Sequence, residues 1–113
     1  MMVIYPWMPK ELNPNCREHW TKKAVKFKQY KNTCWTLTMQ GYPKKPTEDR
    51  VHLAITFYKP TRARRDLDNL LAAFKAGIDG ISLALGVDDS NFLLSIDMAE
   101  EIGSYVKVEF NYR

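Results

Sequence analysis

Between Val51 and Leu85 the apolar residues change period from two to about 3.6, the signature of a strand handing over to a helix. Val51, Leu53, Ile55 and Phe57 alternate with His52, Ala54, Thr56 and Tyr58, which predicts a strand with one strongly apolar face. His52 falls on the other face and reads as an outward strand residue, not a catalytic base. Pro60 ends the strand. From Asp68 to Leu85 the spacing predicts one helix: Leu67, Leu70, Leu71, Phe74, Ile78, Ile81 and Leu85 share a stripe when about 100° is stepped per residue. Gly86 closes it. Gly77 and Gly80 weaken a helix, so their presence implies another element packed close against them.

The rest of the chain supplies that element. Residues 17–40 carry Trp20, Ala24, Phe27, Cys34 and Leu37 close to helical spacing, with Asn15 as the expected N-cap and Gly41 and Pro43 as the stop. Met1–Trp7 is β-prone and ends at Pro6, as an edge strand does. Pro9–Asn15 and residues 42–50 read as loops. Leu94, Ile96 and Met98 alternate with Ser95 and Asp97, which predicts a strand. Glu100–Gly103 read as a hairpin turn into a last strand, Ser104–Tyr112, with Val106, Val108 and Phe110 inward and Tyr105, Lys107 and Glu109 outward. The order is strand, helix, strand, helix, strand, strand. It predicts a single α/β (α+β) domain over residues 1–113, with a small mixed sheet packed against two main helices. A length of 113 residues suits one domain with one core.

Charge is distributed unevenly. The net value of +4 is modest, but Lys22, Lys23, Lys26, Lys28 and Lys31 lie together, and so do Arg62, Arg64 and Arg65. Clusters of this kind point to a nucleic-acid partner. Lys22, Lys23 and Lys26 and the three arginines are the expected contacts; a solvated helix face is the plainer reading of the lysines. Two cysteines are too few for a disulfide framework, and both are expected as thiols in a cytoplasmic protein. Cys16 and His19 alone do not make a zinc site. No apolar run is long enough to span a membrane, and the N-terminus lacks a signal-peptide pattern.

The chemistry concentrates where the arginines end. In Arg64-Arg65-Asp66-Leu67-Asp68-Asn69 two carboxylates stand one residue apart at the head of the predicted helix, and Asp88-Asp89 follow beyond its far end. Asp68 at a helix start could be only a cap, and Asp88-Asp89 could be only turn chemistry. If the chain doubles back so that the four converge, they offer an oxygen-rich site for a hard divalent cation, and the arginines beside it would face an anionic phosphate.

Arg65-Asp-Leu-Asp-Asn-Leu70 opening a helix and Gly86-Val-Asp-Asp-Ser90 before a strand resemble the RusA family of Holliday-junction resolvases, small endonucleases often carried by phages and prophages. Tyr5-Pro-Trp-Met-Pro9, with asparagines soon after, is similar to that family's N-terminus, so the likeness covers nearly the whole chain. The resemblance implies a homodimer that uses Mg²⁺ or Mn²⁺ to cut symmetric strands of a four-way DNA junction in recombination and repair. It also implies that Asp66, Asp68 and Asp89 bind the metal, with Asp88 beside them. Trp7, Trp35, Tyr105 and Tyr112 are the aromatics considered for the dimer interface. One departure stands out. The family pattern has a lysine one turn after the second aspartate and an acid a turn later, where this chain has Ala72 and Ala76. Lys75 and Asp79 keep that spacing three residues on. Seven residues place Lys75 within about 20° of the Asp68 stripe and about 10 Å along the axis, close enough for an extended side chain to meet a phosphate there. Lys75 is therefore the expected charge-stabilising residue, and a surface pair with Asp79 is its plainer alternative. Two other functions fit parts of the pattern: a junction-binding protein without cleavage, and a metal enzyme with a small substrate.

Overall fold

The computed structural model describes residues 1–48 and 50–113. Asp49, in the expected loop 42–50, lies outside them. Four strands form one mixed sheet: β1 (Met2–Pro6), β2 (Val51–Tyr58), β3 (Phe92–Met98) and β4 (Tyr105–Asn111), in the spatial order β1-β4-β2-β3. Among the described residues, three helices accompany it: α1 (Trp20–Gln40), α2 (Leu67–Ala73) and α3 (Lys75–Leu85). Short 3-10 turns stand at Lys10–Leu12 and Asp89–Asn91. The mixed α/β class, the single domain and the order of the main elements agree with the sequence pattern.

The sheet buries one face. Leu53 is opposite Phe110, Ile55 opposite Val108 and Phe57 opposite Val106 across β2 and β4. Val3 and Tyr5 continue the row through Val108 and Val106. All eight are buried. The alternate positions of β2 are half exposed, and His52 there meets the hydroxyl of Ser95 at 2.6 Å, as an outward strand residue should. α1 packs on the buried side through Tyr30, Cys34 and Thr38, spaced by four on one stripe. The Tyr5 hydroxyl meets that of Thr38 at 2.7 Å, and Tyr30 donates to the Pro6 carbonyl at 2.5 Å. Burial pushes the Cys34 thiol up to about 12, so it stays protonated and unreactive at neutral pH. Gly80 lets α3 approach α1: a Cβ there would stand 2.5 Å from the Lys31 carbonyl oxygen and 2.9 Å from the Trp35 nitrogen. The expected close approach at this glycine is real.

Three boundaries differ from the sequence pattern. α1 starts at Trp20, not residue 17, because His19 and not Asn15 caps it; the His19 ring accepts from the Thr21 amide at 3.3 Å. The Asn15 amide is instead bonded to the Asn13 side chain at 2.9 Å. Trp20 consequently sits on the first turn and is 71% exposed, off the buried stripe. The predicted helix 68–85 is two helices meeting at Phe74, where the backbone tightens (φ −85°, ψ 0°) and its amide bonds to both Leu70 and Leu71 carbonyls. The apolar period runs through this joint unbroken, so it leaves no mark in the sequence. Phe74 is wholly buried between Tyr5, Tyr30 and Phe57, with ring centroids about 6 Å from each.

The largest difference concerns the last two strands. They do not form a hairpin. β3 runs parallel to β2 on one side, and β4 runs antiparallel to β2 on the other. The segment between them crosses the end of β2, tied by Ala99 to the Phe57 carbonyl and by Gly103 to the Lys59 carbonyl. Alternation identifies each strand but not its neighbour, and β2, the most apolar strand, takes the place between them. The strand–helix–strand run β2-α2-α3-β3 is thus a parallel crossover unit, and it folds the two acidic segments toward each other.

Candidate functional site

Asp66 occupies the N-cap position of α2, and its side chain makes no capping bond. Its carboxylate is therefore exposed and uncommitted. Asp68 stands inside the first turn, where free amides favour a carboxylate. The reading of Asp68 as the cap is corrected by these positions.

The crossover brings Asp89 back to the start of α3. Lys75, the first residue of α3, donates to Asp79 Oδ1 at 2.6 Å and also to Asp89 Oδ2. Partial desolvation lowers the Lys75 pKa, but the hydrogen bonds and charges of Asp79 and Asp89 outweigh it and raise the group above the ordinary lysine value. Lys75 is therefore cationic across the neutral range. A cavity of about 490 Å³ is lined by Asp68, Lys75 and Asp89, with Leu71, Ile78, Phe92 and Leu94 as its apolar wall. A second cavity, about 250 Å³, is lined by Asp89, Asp88, Asp79, Ser82 and Lys31. Asp88 has a local task. Its carboxylate accepts from the Ser90 amide at 2.9 Å, which lowers its pKa and caps the following 3-10 turn.

The donor chemistry suits Mg²⁺ in kind: carboxylate oxygens, of which one or two per ion suffice. Asp68 and Asp89, which share a cavity, are the residues that would hold it. Among the described residues, however, no three His, Cys, Asp or Glu side chains are close enough to hold an ion between them.

The basic residues divide. Arg62 and Arg64 are exposed beside Asp66. Arg65 is half-buried, with its guanidinium carbon 5.7 Å from the centre of the Trp7 ring. Lys22 pairs with Glu18 at 3.7 Å, and Lys23 lines a groove with Trp20 and Phe27. Among the described residues, no hydrogen bond or ion pair ties Lys22, Lys23 or Lys26 to the aspartates. Lys31, one residue among five clustered lysines, is the one that lines a cavity with Asp89. Sequence reasoning missed it, and also missed Asp79 as a neighbour of Asp89. Helical spacing from Phe27 to Lys31 was a signal for the first, but nothing local marks the second. Of the four aromatics considered for an interface, Trp7 packs on the core, Tyr105 stacks on Tyr58 at 4.4 Å and Tyr112 donates to the Lys44 carbonyl at 2.5 Å. Trp35 stays exposed.

No known family model matches the chain. Over 94 residues, 80% of the chain, it is 43% identical to an uncharacterized protein of Xylella fastidiosa (strain Temecula1 / ATCC 700964). The match spans 61% of that protein's length. No helix is long and apolar enough to cross a membrane among the described residues.

Proposed function

We propose that this chain is a Mg²⁺-dependent endodeoxyribonuclease that cuts four-way or other branched DNA as a cytoplasmic homodimer. The observation that carries the reading is the return of Asp89 to Lys75, in one cavity with Asp68. Phosphodiester hydrolysis needs a polarised phosphate, an activated water and relief of charge on the leaving oxygen, and a bound divalent cation supplies these. The chain's own residues do the rest. Arg62 and Arg64, exposed beside Asp66, hold phosphates. Lys75, cationic at neutral pH, stabilises the charge that develops on the phosphate. A four-way junction presents two equivalent strands, and a two-fold dimer presents two equivalent sites.

The test is nicking of a synthetic four-way junction with and without Mg²⁺. Cleavage of the junction, and not of matched linear duplex, is expected only with the metal. Equal cutting of linear duplex would refute structure selectivity. A second reading, junction binding without cleavage, draws on Lys75 already neutralising Asp89 and on Ala72 standing where a lysine is expected. Binding of the junction with no nicking under Mg²⁺ or Mn²⁺ would establish it.

A further inference from the structure

Behind α2 lies a larger cavity, about 560 Å³, that the proposed chemistry does not use. Trp7, Lys10, Asn13, Asn15 and Arg65 line it, with Leu70 among its apolar residues. It is within the size range of small-ligand sites, roughly 300–1,000 Å³. Among the described residues, no carboxylate lines it, whereas both cavities described above contain aspartates. Its charged and amide groups are two cations and two carboxamides, with the Cys16 thiol beside them, so donors dominate. Among the described residues, the only buried side-chain donor without a partner is Arg65 Nε; the other unpartnered atom, Glu11 Oε2, is an acceptor and Glu11 does not line this cavity. The guanidinium of Arg65 sits over Trp7. A planar cation on an aromatic ring continues a stack on which another flat ring can lie.

α2 is the wall between this cavity and the acidic one. Leu70 and Ala73 face the first, and Asp68, Leu71 and Ala72 the second. A strand crossing the N-terminus of α2 can therefore place a base on one side and a backbone phosphate on the other, a helix diameter of about 10 Å apart.

We infer that this cavity binds an unpaired nucleobase, stacked on the Arg65 guanidinium over Trp7 and read at its acceptor-rich edge by the Asn13 and Asn15 amides. Guanine, with two acceptors on one edge, is the best match to this donor set. The inference rests on the nuclease reading for its source of an unpaired nucleotide, a strand splayed at a DNA branch point. It concerns binding alone.

The test is a two-dimensional NMR titration of the whole chain with dGMP, and with inorganic phosphate as the comparison. Saturable shifts of the Asn13 and Asn15 side-chain amides and the Trp7 indole are expected with dGMP, and none with phosphate. Arg65→Lys keeps the charge but loses the flat guanidinium face, and should weaken dGMP about tenfold; its own spectrum reports whether the fold is kept. Asn15→Ala, at an exposed position, is the second variant and should weaken dGMP as well. No saturable shift, identical shifts with phosphate alone, or unchanged affinity in both variants would overturn the inference. Junction nicking is scored separately. Cleavage without dGMP binding would sink the base site and keep the nuclease; dGMP binding without cleavage would do the reverse.

Discussion

Gly80→Ala sets two known effects against each other, and the structure decides the sign. Alanine is a better helix former than glycine by about 1 kcal/mol, so an open position on α3 would gain stability. Here the added methyl would stand 2.5 Å from the Lys31 carbonyl oxygen, 2.9 Å from the Trp35 nitrogen and 3.1 Å from the Cys34 Cβ. The two nearest obstacles are backbone atoms of α1, which no rotamer change can move. Restoring ordinary contact requires the helices to part by about 1 Å, enough to forfeit a quarter to a half of each contact's attraction along the seam. Overpacking of this kind costs about 1–3 kcal/mol, and a clash with backbone belongs at the top of that range. The net expectation is a loss of about 2 kcal/mol, or roughly 8 °C in Tm for a domain of this size. Urea denaturation followed by circular dichroism measures it. Gly86→Ala is the comparison: nothing lies within 4 Å, and only its left-handed φ of 68° is strained, at about 1 kcal/mol. A Gly80→Ala protein as stable as wild type, or more so, would refute the close crossing.

Asp66→Asn and Asp68→Asn should each abolish Mg²⁺-dependent junction cleavage while junction binding holds or tightens; helical circular dichroism should be unchanged, because the Asp66 side chain makes no capping bond and Asp68 stands inside the first turn of α2, past the cap position. Lys75→Ala should slow single-turnover cleavage about tenfold or more at nearly constant junction affinity, and a rate within about twofold of wild type would leave Lys75 as a surface charge. Arg64→Ala should flatten the salt dependence of binding by about 0.9 in log–log slope, whereas a changed cleavage-site preference at constant slope would mean a base contact. The raised pKa of Lys75 also has a pH signature: its contribution to stability is whole below the ordinary lysine value and disappears as pH rises through the higher folded value. The urea midpoints of wild type and Lys75→Gln should therefore differ by a small constant amount near neutrality and converge in strong alkali; the half-exposed pair is worth less than about 1 kcal/mol.

What the sequence made legible was what repeats. The inward rows of β2 and β4, the edge position of β1, the stop at Gly86 and the tight contact at Gly80 all follow from period, punctuation or a glycine where a helix does not want one. Features set by a single side chain or by a choice of neighbours were hidden. His19 outcompetes Asn15 as a cap because its ring reaches the Thr21 amide, a local geometry no propensity encodes. The joint at Phe74 preserves the stripe of apolar residues and so leaves no gap in it. The pairing of β3 is a choice between two flanks of β2 that alternation describes equally well. In the candidate site, Asp66 and Asp68 were legible as a motif, but the partners of Lys75 were not, since Asp89 reaches it only through the crossover.

Lys75 makes the surface pair with Asp79 that the sequence offered, and a second bond to Asp89 that the sequence did not show. Lysine four residues before aspartate is the weaker helical orientation, worth a few tenths of a kcal/mol, so Asp79 alone is a poor reason for Lys75 to stay in place. Asp89 adds a second anchor from another element and fixes the ammonium beside the cavity of Asp68. Both bonds are half-exposed to water, which keeps the arrangement cheap to rearrange. An ammonium held this way is charged, positioned and releasable, as its proposed role on a phosphate at the head of α2 would require. A lysine three residues earlier, at Ala72, would stand in α2, on the far side of the joint at Phe74. From the first residue of α3, Lys75 instead depends on the fold of β2-α2-α3-β3 to bring its carboxylate partner. Loss of that fold would remove the site while leaving every residue of the motif in the sequence.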